Sequence, residues 1–194
     1  MDRVSDSDLI TRLQAGSLDA LGLLYDRHRK MVFRTALAIT GDVDAAGDLL
    51  QDVFLRLHRF ACHIDTLRPL EPWLYRMTAN LAYTWVKRHH RWPRSLEEVA
   101  EWLVGSKKNT PPEVTEVDEE SRQIQQAVSA LPLPQRMVVV LYYVNDLSIQ
   151  EISDILEVPV GTVKSRLHYG RQALKDNLGM LQGKAHSEMR YEVT

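Results

Sequence analysis

Apolar residues recur three and four positions apart through most of this chain, and no apolar–polar alternation of the strand kind interrupts them in its first ninety or so residues. Ser5 to Ala15 predicts a short helix with Leu9, Ile10 and Leu13 inward, ended by Gly16. Ser17 is placed to cap a second helix that carries Leu21, Leu24, Tyr25, Met31, Val32, Ala36 and Ile39 and ends at Gly41. A third begins around Asp42 or Asp44, with Leu50, Val53, Phe54 and Leu57 inward. Ala61 to Leu70 breaks the period and contains Pro69, so it reads as a loop. A fourth helix starts near Pro72 and continues to Pro93, its inner stripe Leu74, Met77, Leu81 and Trp85.

The second half keeps the helical period after a break. Leu96 to Leu103 suits a turn or two of helix, and Gly105 to Glu120 has little to bury and reads as a flexible linker. Helix resumes near Glu119 with Ile124, Val128 and Leu131 on one face, and Pro134 opens another that bears Met137 to Tyr143. Leu147 to Leu174, LSIQEISDILEVPVGTVKSRLHYGRQAL, then reads as two short helices around a tight turn. Ser148 and Glu151 have the spacing of a capping box, Pro159 stops the first helix, and the second buries Val163, Leu167, Gly170 and Leu174. Beyond Gly179 a polar tail is expected to fray. The fold class is all-α: two small helical domains, residues 1–95 and 121–183, joined by an acidic linker over 96–120, with a polar tail over 184–194.

Charge sharpens this picture. The net charge is −2, unlike that of a protein that simply coats DNA, but the sign is patterned. Thr84 to Arg94 holds four cations and no acid, Val160 to Lys175 holds another four and no acid, and Ser95 to Ser121 holds eight acids against two lysines. Two basic helices joined by an acidic connector suggest two DNA contacts and a third surface for something else. A cationic helix propped across a tight turn suits the DNA major groove; the alternative is a solvated face in an ordinary bundle. On the fourth helix, Arg76, Asn80, Thr84, Lys87 and Arg91 line the outer face, with Tyr83 and Trp92 nearby. Amide, hydroxyl, cations and rings are what a single-stranded track uses, whereas Trp73 and Trp85 fit a core. On the third helix, Asp48, Gln51 and Asp52 share one face, either a docking surface or a solvated one whose first acid complements the helix dipole.

Other chemistries find little footing. The single cysteine, Cys62, forms no internal disulfide and no metal cluster, and fits a cytoplasmic location. Only His89 and His90 adjoin among seven histidines, and neighbours on a helix point apart. No nucleophile motif, phosphate-cradling glycine loop or ligand-spaced set is present, so no catalytic residue, metal or cofactor is expected. No apolar run approaches a membrane span, and the N-terminus lacks the apolar stretch of a secretory signal.

In their order, four segments resemble the extracytoplasmic-function (ECF) group of bacterial sigma factors, in the sigma-70 family, over roughly residues 8 to 178. LLYDRHRKMVFRTA is similar to the early helix of sigma region two, and AAGDLLQDVFLRL to its polymerase-binding helix. EPWLYRMTANLAYTWVKRHHR resembles the helix that melts and reads the minus-ten element, and VPVGTVKSRLHYGRQAL the helix of region four that reads the minus-thirty-five element. Gly47 departs from the family, which usually has an acid there, and His58 stands where Trp or Tyr is common.

The resemblance implies that Asp48, Gln51, Asp52 and Phe54 bind core RNA polymerase, and that Asn80, Thr84, Lys87, Arg88 and Arg91 bind a single-stranded minus-ten element. It implies that Ser148, Thr162, Lys164, Ser165, Arg166, His168, Tyr169 and Arg171 meet a duplex minus-thirty-five element, Ser148 and Thr162 through phosphates only. It also implies a base flipped into the loop before the fourth helix, an acidic linker threaded through the polymerase cleft, and an anti-sigma partner that clamps the two domains. No small-molecule substrate and no membrane insertion belong to this reading. A helix-turn-helix regulator of the two-component output type would account for Leu147 to Leu174, but it leaves the first ninety residues without a receiver-like alternation of strands and helices.

Overall fold

A computed structural model describes residues 4–89 and 119–191, all helical apart from turns. In chain order the elements are α1 (Asp6–Gln14), α2 (Leu18–Thr40), α3 (Val43–Phe60), a 3₁₀ turn (Ala61–His63), α4 (Glu71–His89), α5 (Glu119–Ser129), α6 (Leu133–Tyr143), α7 (Ile149–Leu156) and α8 (Val160–Tyr191). The expected turn or two of helix at Leu96 to Leu103, the linker to Asp118, and Trp92 lie outside the described residues.

Local chemistry sets the boundaries. Ser5, Ser17 and Asp42 each accept a backbone N–H from three residues on, which satisfies a donor that the first helical turn leaves open. Gly41 closes α2 in the left-handed region at φ 72, where a side chain would be strained. Its lack of a side chain also admits Ser129 of α5, whose hydroxyl would stand 2.9 Å from a Cβ.

The N-terminal half packs α1, α2, α3 and α4 around Leu9, Ile10, Leu13, Leu24, Val53, Phe54, Leu57 and Leu74. The C-terminal half packs α6, α7 and α8 around Val138, Leu141, Ile152, Ile155, Val163 and Leu167. A third apolar cluster joins them: Met137 and Val140 of α6 sit among Ala36, Ile39, Ala46, Leu49, Ala79, Ala82 and Val86.

That junction corrects the stripe expected on α4. Leu74, Thr78, Ala79, Ala82 and Val86 are buried, while Met77, Leu81 and Trp85 are only half-buried. α4 meets α2 and α3 on one side and the C-terminal half on another, so small residues line the close approaches. Thr78 is tolerated there because its hydroxyl donates to the Leu74 carbonyl at 2.7 Å.

Polar groups cross the junction too. Arg136 is 4% exposed and donates from Nη1 to the Ile39 carbonyl at 2.8 Å, and from Nη2 to the carbonyls of Ser129 and Leu131. Among the described residues no carboxylate pairs with it; the negative ends of α2 and α5 supply the compensation. Desolvation lowers its pKa below the usual arginine value. Gln125 Nε2 donates to the Leu37 carbonyl at 3.2 Å, and Asn145 Nδ2 to the Thr35 hydroxyl at 2.8 Å. Burial raises the Tyr75 phenol above its ordinary value, partly offset by Asn145.

The C-terminal end also differs from expectation. α8 continues to Tyr191 instead of fraying after Gly179, because Gln182, Lys184, Ala185, Glu188, Met189 and Arg190 are all good helix formers.

Candidate polymerase and nucleic-acid interfaces

On α3, Asp48 and Gln51 are exposed and Asp52 is half-buried. The Asp52 carboxylate accepts from Arg56 Nε at 3.1 Å, so this acid carries its own counter-ion one turn along. Phe54, assigned to the same surface by resemblance, is 5% exposed and meets Tyr25 edge to face at 5.0 Å. Its ring is core, which follows from the register it shares with Val53 and Leu57; it supports the face and does not present it. Leu55 is 66% exposed, three residues from Asp52 and four from Gln51, and so extends this face with an apolar centre. The spacing that grouped the polar residues also held that signal.

On α4, Asn80, Thr84, Lys87 and Arg88 are all exposed, and Arg91 lies outside the described residues. Thr84 donates its hydroxyl to the Asn80 carbonyl at 2.8 Å, and the Asn80 amide is directed outward with no hydrogen-bond partner among the described residues. Lys87 Nζ rests 4.7 Å from the Tyr83 ring centroid. His89 stacks on Trp85 at 4.4 Å and donates from Nδ1 to the Trp85 carbonyl. Arg76, expected on the same outer face, is instead committed to the C-terminal half: it donates to the Asp154 carbonyl at 2.7 Å and pairs with Glu157 at 2.8 Å.

The loop ahead of α4 is pinned at its start, where Gln14 Nε2 donates to the carbonyls of Ala61 and Ile64 at 3.0 Å each. Between loop and α1 lies a cavity of about 360 Å³, lined among others by Asp6, Ile10, Ile64, Thr66, Leu67 and Glu71. Beneath it, Asp6 accepts from Arg27 and from buried His28, so its carboxylate is already occupied.

The α7–α8 unit has the expected local devices. Ser148 Oγ accepts from Glu151 N at 3.2 Å, and Glu151 accepts from Ser148 N at 2.8 Å, which holds the Glu151 carboxyl below its ordinary value. The turn passes through Glu157 at φ 53, and Ser153 donates to the Val158 carbonyl at 2.6 Å. Val163, Leu167 and Gly170 are buried, and Leu174 is half-buried. On the other side Lys164, Ser165, His168, Tyr169 and Arg171 are exposed, as is Ser148, while Thr162 and Arg166 are half-buried. Lys164, Ser165, His168, Tyr169 and Arg171 fall on one side of α8. Arg171, however, lies over the Tyr142 and Tyr143 rings at 5.3 and 5.5 Å and is partly spent on that contact.

Comparison with known proteins places this architecture. The family model "Sigma-70 region 2" matches residues 24–92, and "Sigma-70, region 4" matches residues 121–174. The ECF RNA polymerase sigma factor SigW of Bacillus subtilis is 33% identical over 176 residues, 87% of this chain and 94% of that one. The ECF RNA polymerase sigma-E factor of Escherichia coli K12 is 30% identical over 189 residues, covering 91% and 96%. Among solved structures, CnrH in complex with the cytosolic domain of CnrY has a TM-score of 0.67 at 22% identity, over 90% of this chain and 97% of that one, a likeness of fold. RpoE of Bartonella quintana, solved with the anti-sigma factor NepR, has a TM-score of 0.60 at 21% identity, covering 78% and 91%. An all-helical pair of sigma-70 regions is therefore the class. Within it, the chain belongs to the ECF sigma factors. Among the described residues no helix is long and apolar enough to cross a membrane.

Proposed function

We propose that this chain serves core RNA polymerase as its promoter-specificity subunit, with residues 1–95 and 121–183 acting as separate reading heads on the 96–120 linker. It does no chemistry of its own and works in the cytoplasm. Asp48, Gln51 and Asp52 dock on polymerase, with Leu55 supplying apolar contact between them. Asn80 reads an unpaired base of the minus-ten element while Lys87, Arg88 and Arg91 hold the phosphates of that strand. Lys164, Ser165, His168 and Tyr169 meet the major groove of the minus-thirty-five element, and Arg166, Thr162 and Ser148 its backbone. The cavity beside Thr66 and Leu67 is roomy enough to receive a base turned out of the stack. An anti-sigma protein is the expected inhibitor.

The observation that carries this reading is the outward Asn80 amide on α4, followed at helical spacing by exposed Thr84, Lys87 and Arg88. A duplex-only regulator has no use for such a face. Run-off transcription from a promoter of this type with purified core polymerase, with and without the chain, tests it. Chain-dependent transcript is expected; its absence, with polymerase shown active on another sigma factor, rejects the reading.

A further inference from the structure

Three side chains of the kinds that bind metals meet beside the loop cavity, each from a different helix. Asp6 of α1, His28 of α2 and Glu71 of α4 each present one oxygen or nitrogen, and these atoms all lie within 4.8 Å of one another. No ligand spacing in the sequence marks the set; it forms because α1 and the first turn of α4 both pack against α2. His28 is 6% exposed, and its Nε2 stands 2.7 Å from Asp6 Oδ2, while Arg27 Nη1 takes Asp6 Oδ1. A buried histidine bonded to one carboxylate is a common structural pair and by itself points to no ligand. Glu71 changes the case. It is exposed, it forms no ion pair among the described residues, and its carboxylate stands beside that of Asp6. Two carboxylates so placed repel each other, and the single charge of Arg27 offsets only one of them. The cavity of about 360 Å³ is lined by both acids and gives an ion and its water a way in.

We propose that Asp6, His28 and Glu71 form a binding site for a divalent transition-metal ion of the zinc type. One imidazole and two carboxylates, with no thiolate, are a donor set that zinc, cobalt and manganese accept. The ion replaces the proton between His28 Nε2 and Asp6 Oδ2, and that proton leaves to solvent. Arg27 keeps its hold on Oδ1 and on the Val4 carbonyl, so it orients the Asp6 ligand from behind. Metal–ligand bonds of about 2.0–2.2 Å set the ligand atoms of a tetrahedral site about 3.4 Å apart. The exposed Glu71 side chain therefore swings inward, while buried His28 stays in place. Water from the cavity completes the coordination shell. Glu71 directly follows Leu70, so a bound ion ties the loop's exit and the start of α4 to α1 and α2. The N-terminal half gains stability whenever the ion is present.

The test uses the full chain carrying Cys62→Ser, which removes the exposed thiol as a competing ligand, after treatment with a chelator. Co²⁺ is the spectroscopic probe and Zn²⁺ its competitor. Added Co²⁺ should give visible d–d absorption that saturates at one ion per chain, and Zn²⁺ should abolish it. In imidazole ¹H–¹⁵N spectra, Zn²⁺ should move the ring signals of His28 ahead of those of every other histidine. Glu71→Gln, a change at an exposed position that leaves the core intact, should weaken Co²⁺ binding by about tenfold or more. His28→Gln should abolish it. Zn²⁺ should raise the unfolding temperature of the parent chain but of neither variant. Absence of a saturable Co²⁺ band overturns the site. So does a Glu71→Gln chain that binds Co²⁺ as tightly as its parent, or a Zn²⁺ response confined to the other histidines, since each marks adventitious surface binding. Polymerase and promoter play no part in these measurements, so their outcome bears on the metal site and leaves the sigma reading to the run-off assay.

Discussion

Gly170 of α8 and Val139 of α6 approach so closely that a Cβ at position 170 would stand 2.7 Å from Val139 Cγ2. This contact seats α8 on α6, and it explains a glycine in mid-helix that would otherwise cost about 1 kcal/mol relative to alanine.

Gly170→Ala is therefore expected to destabilise the C-terminal half by about 1–3 kcal/mol despite its better helix propensity. Urea unfolding measures this. Val139→Ala in the same chain should recover part of the stability, because the two sites share one contact. A more stable Gly170→Ala chain would show that the helices separate freely.

Polymerase docking is expected to depend on the α3 face. Asp52→Lys should weaken co-purification with core polymerase while leaving helix content unchanged, since the Asp52–Arg56 pair is surface-exposed and contributes about 0–1 kcal/mol. Arg56→Ala separates the pair from the face: it should retain polymerase binding. Leu55→Asp should weaken binding as Asp52→Lys does. Undiminished pull-down of both Asp52→Lys and Leu55→Asp would mark this face as solvated surface.

Duplex recognition is expected from α8. Lys164→Ala and His168→Ala together should shift or erase the upstream footprint, because each hydrogen bond removed from a base edge weakens binding by about 1–3 kcal/mol. Lys175→Ala, which touches phosphate at most, should weaken all sequences alike and reduce the salt dependence. Because Arg171 lies on the Tyr142 and Tyr143 rings, Arg171→Ala should also soften the fold of this half, which a thermal melt would show.

Promoter opening is expected to need Asn80. Asn80→Ala should fold, bind core polymerase and bind the upstream duplex element, yet fail to give permanganate-reactive thymines near the start site. Opening at the wild-type rate by this variant removes Asn80 from the site. Normal opening by a chain lacking residues 1 to 95 would argue for a duplex-only regulator.

The helices themselves were legible in the sequence because caps and breakers act locally. Ser17, Asp42, Gly41, the Ser148–Glu151 box and Pro159 mark their boundaries with no help from distant residues. The one-sided charge of α8 and the outward run Asn80, Thr84, Lys87 were legible for the same reason, since helical spacing alone fixes which residues share a face. What the tertiary structure decided was which face turns inward where several helices compete for it. On α4, packing against α2, α3 and the C-terminal half selected Thr78, Ala79, Ala82 and Val86 over the larger Met77, Leu81 and Trp85. The burial of Phe54 against Tyr25, the capture of Arg76 by Glu157 and the seating of Arg136 on Ile39 join residues 29, 81 and 97 positions apart. Pairings of that separation follow from how halves dock, and no local pattern encodes them.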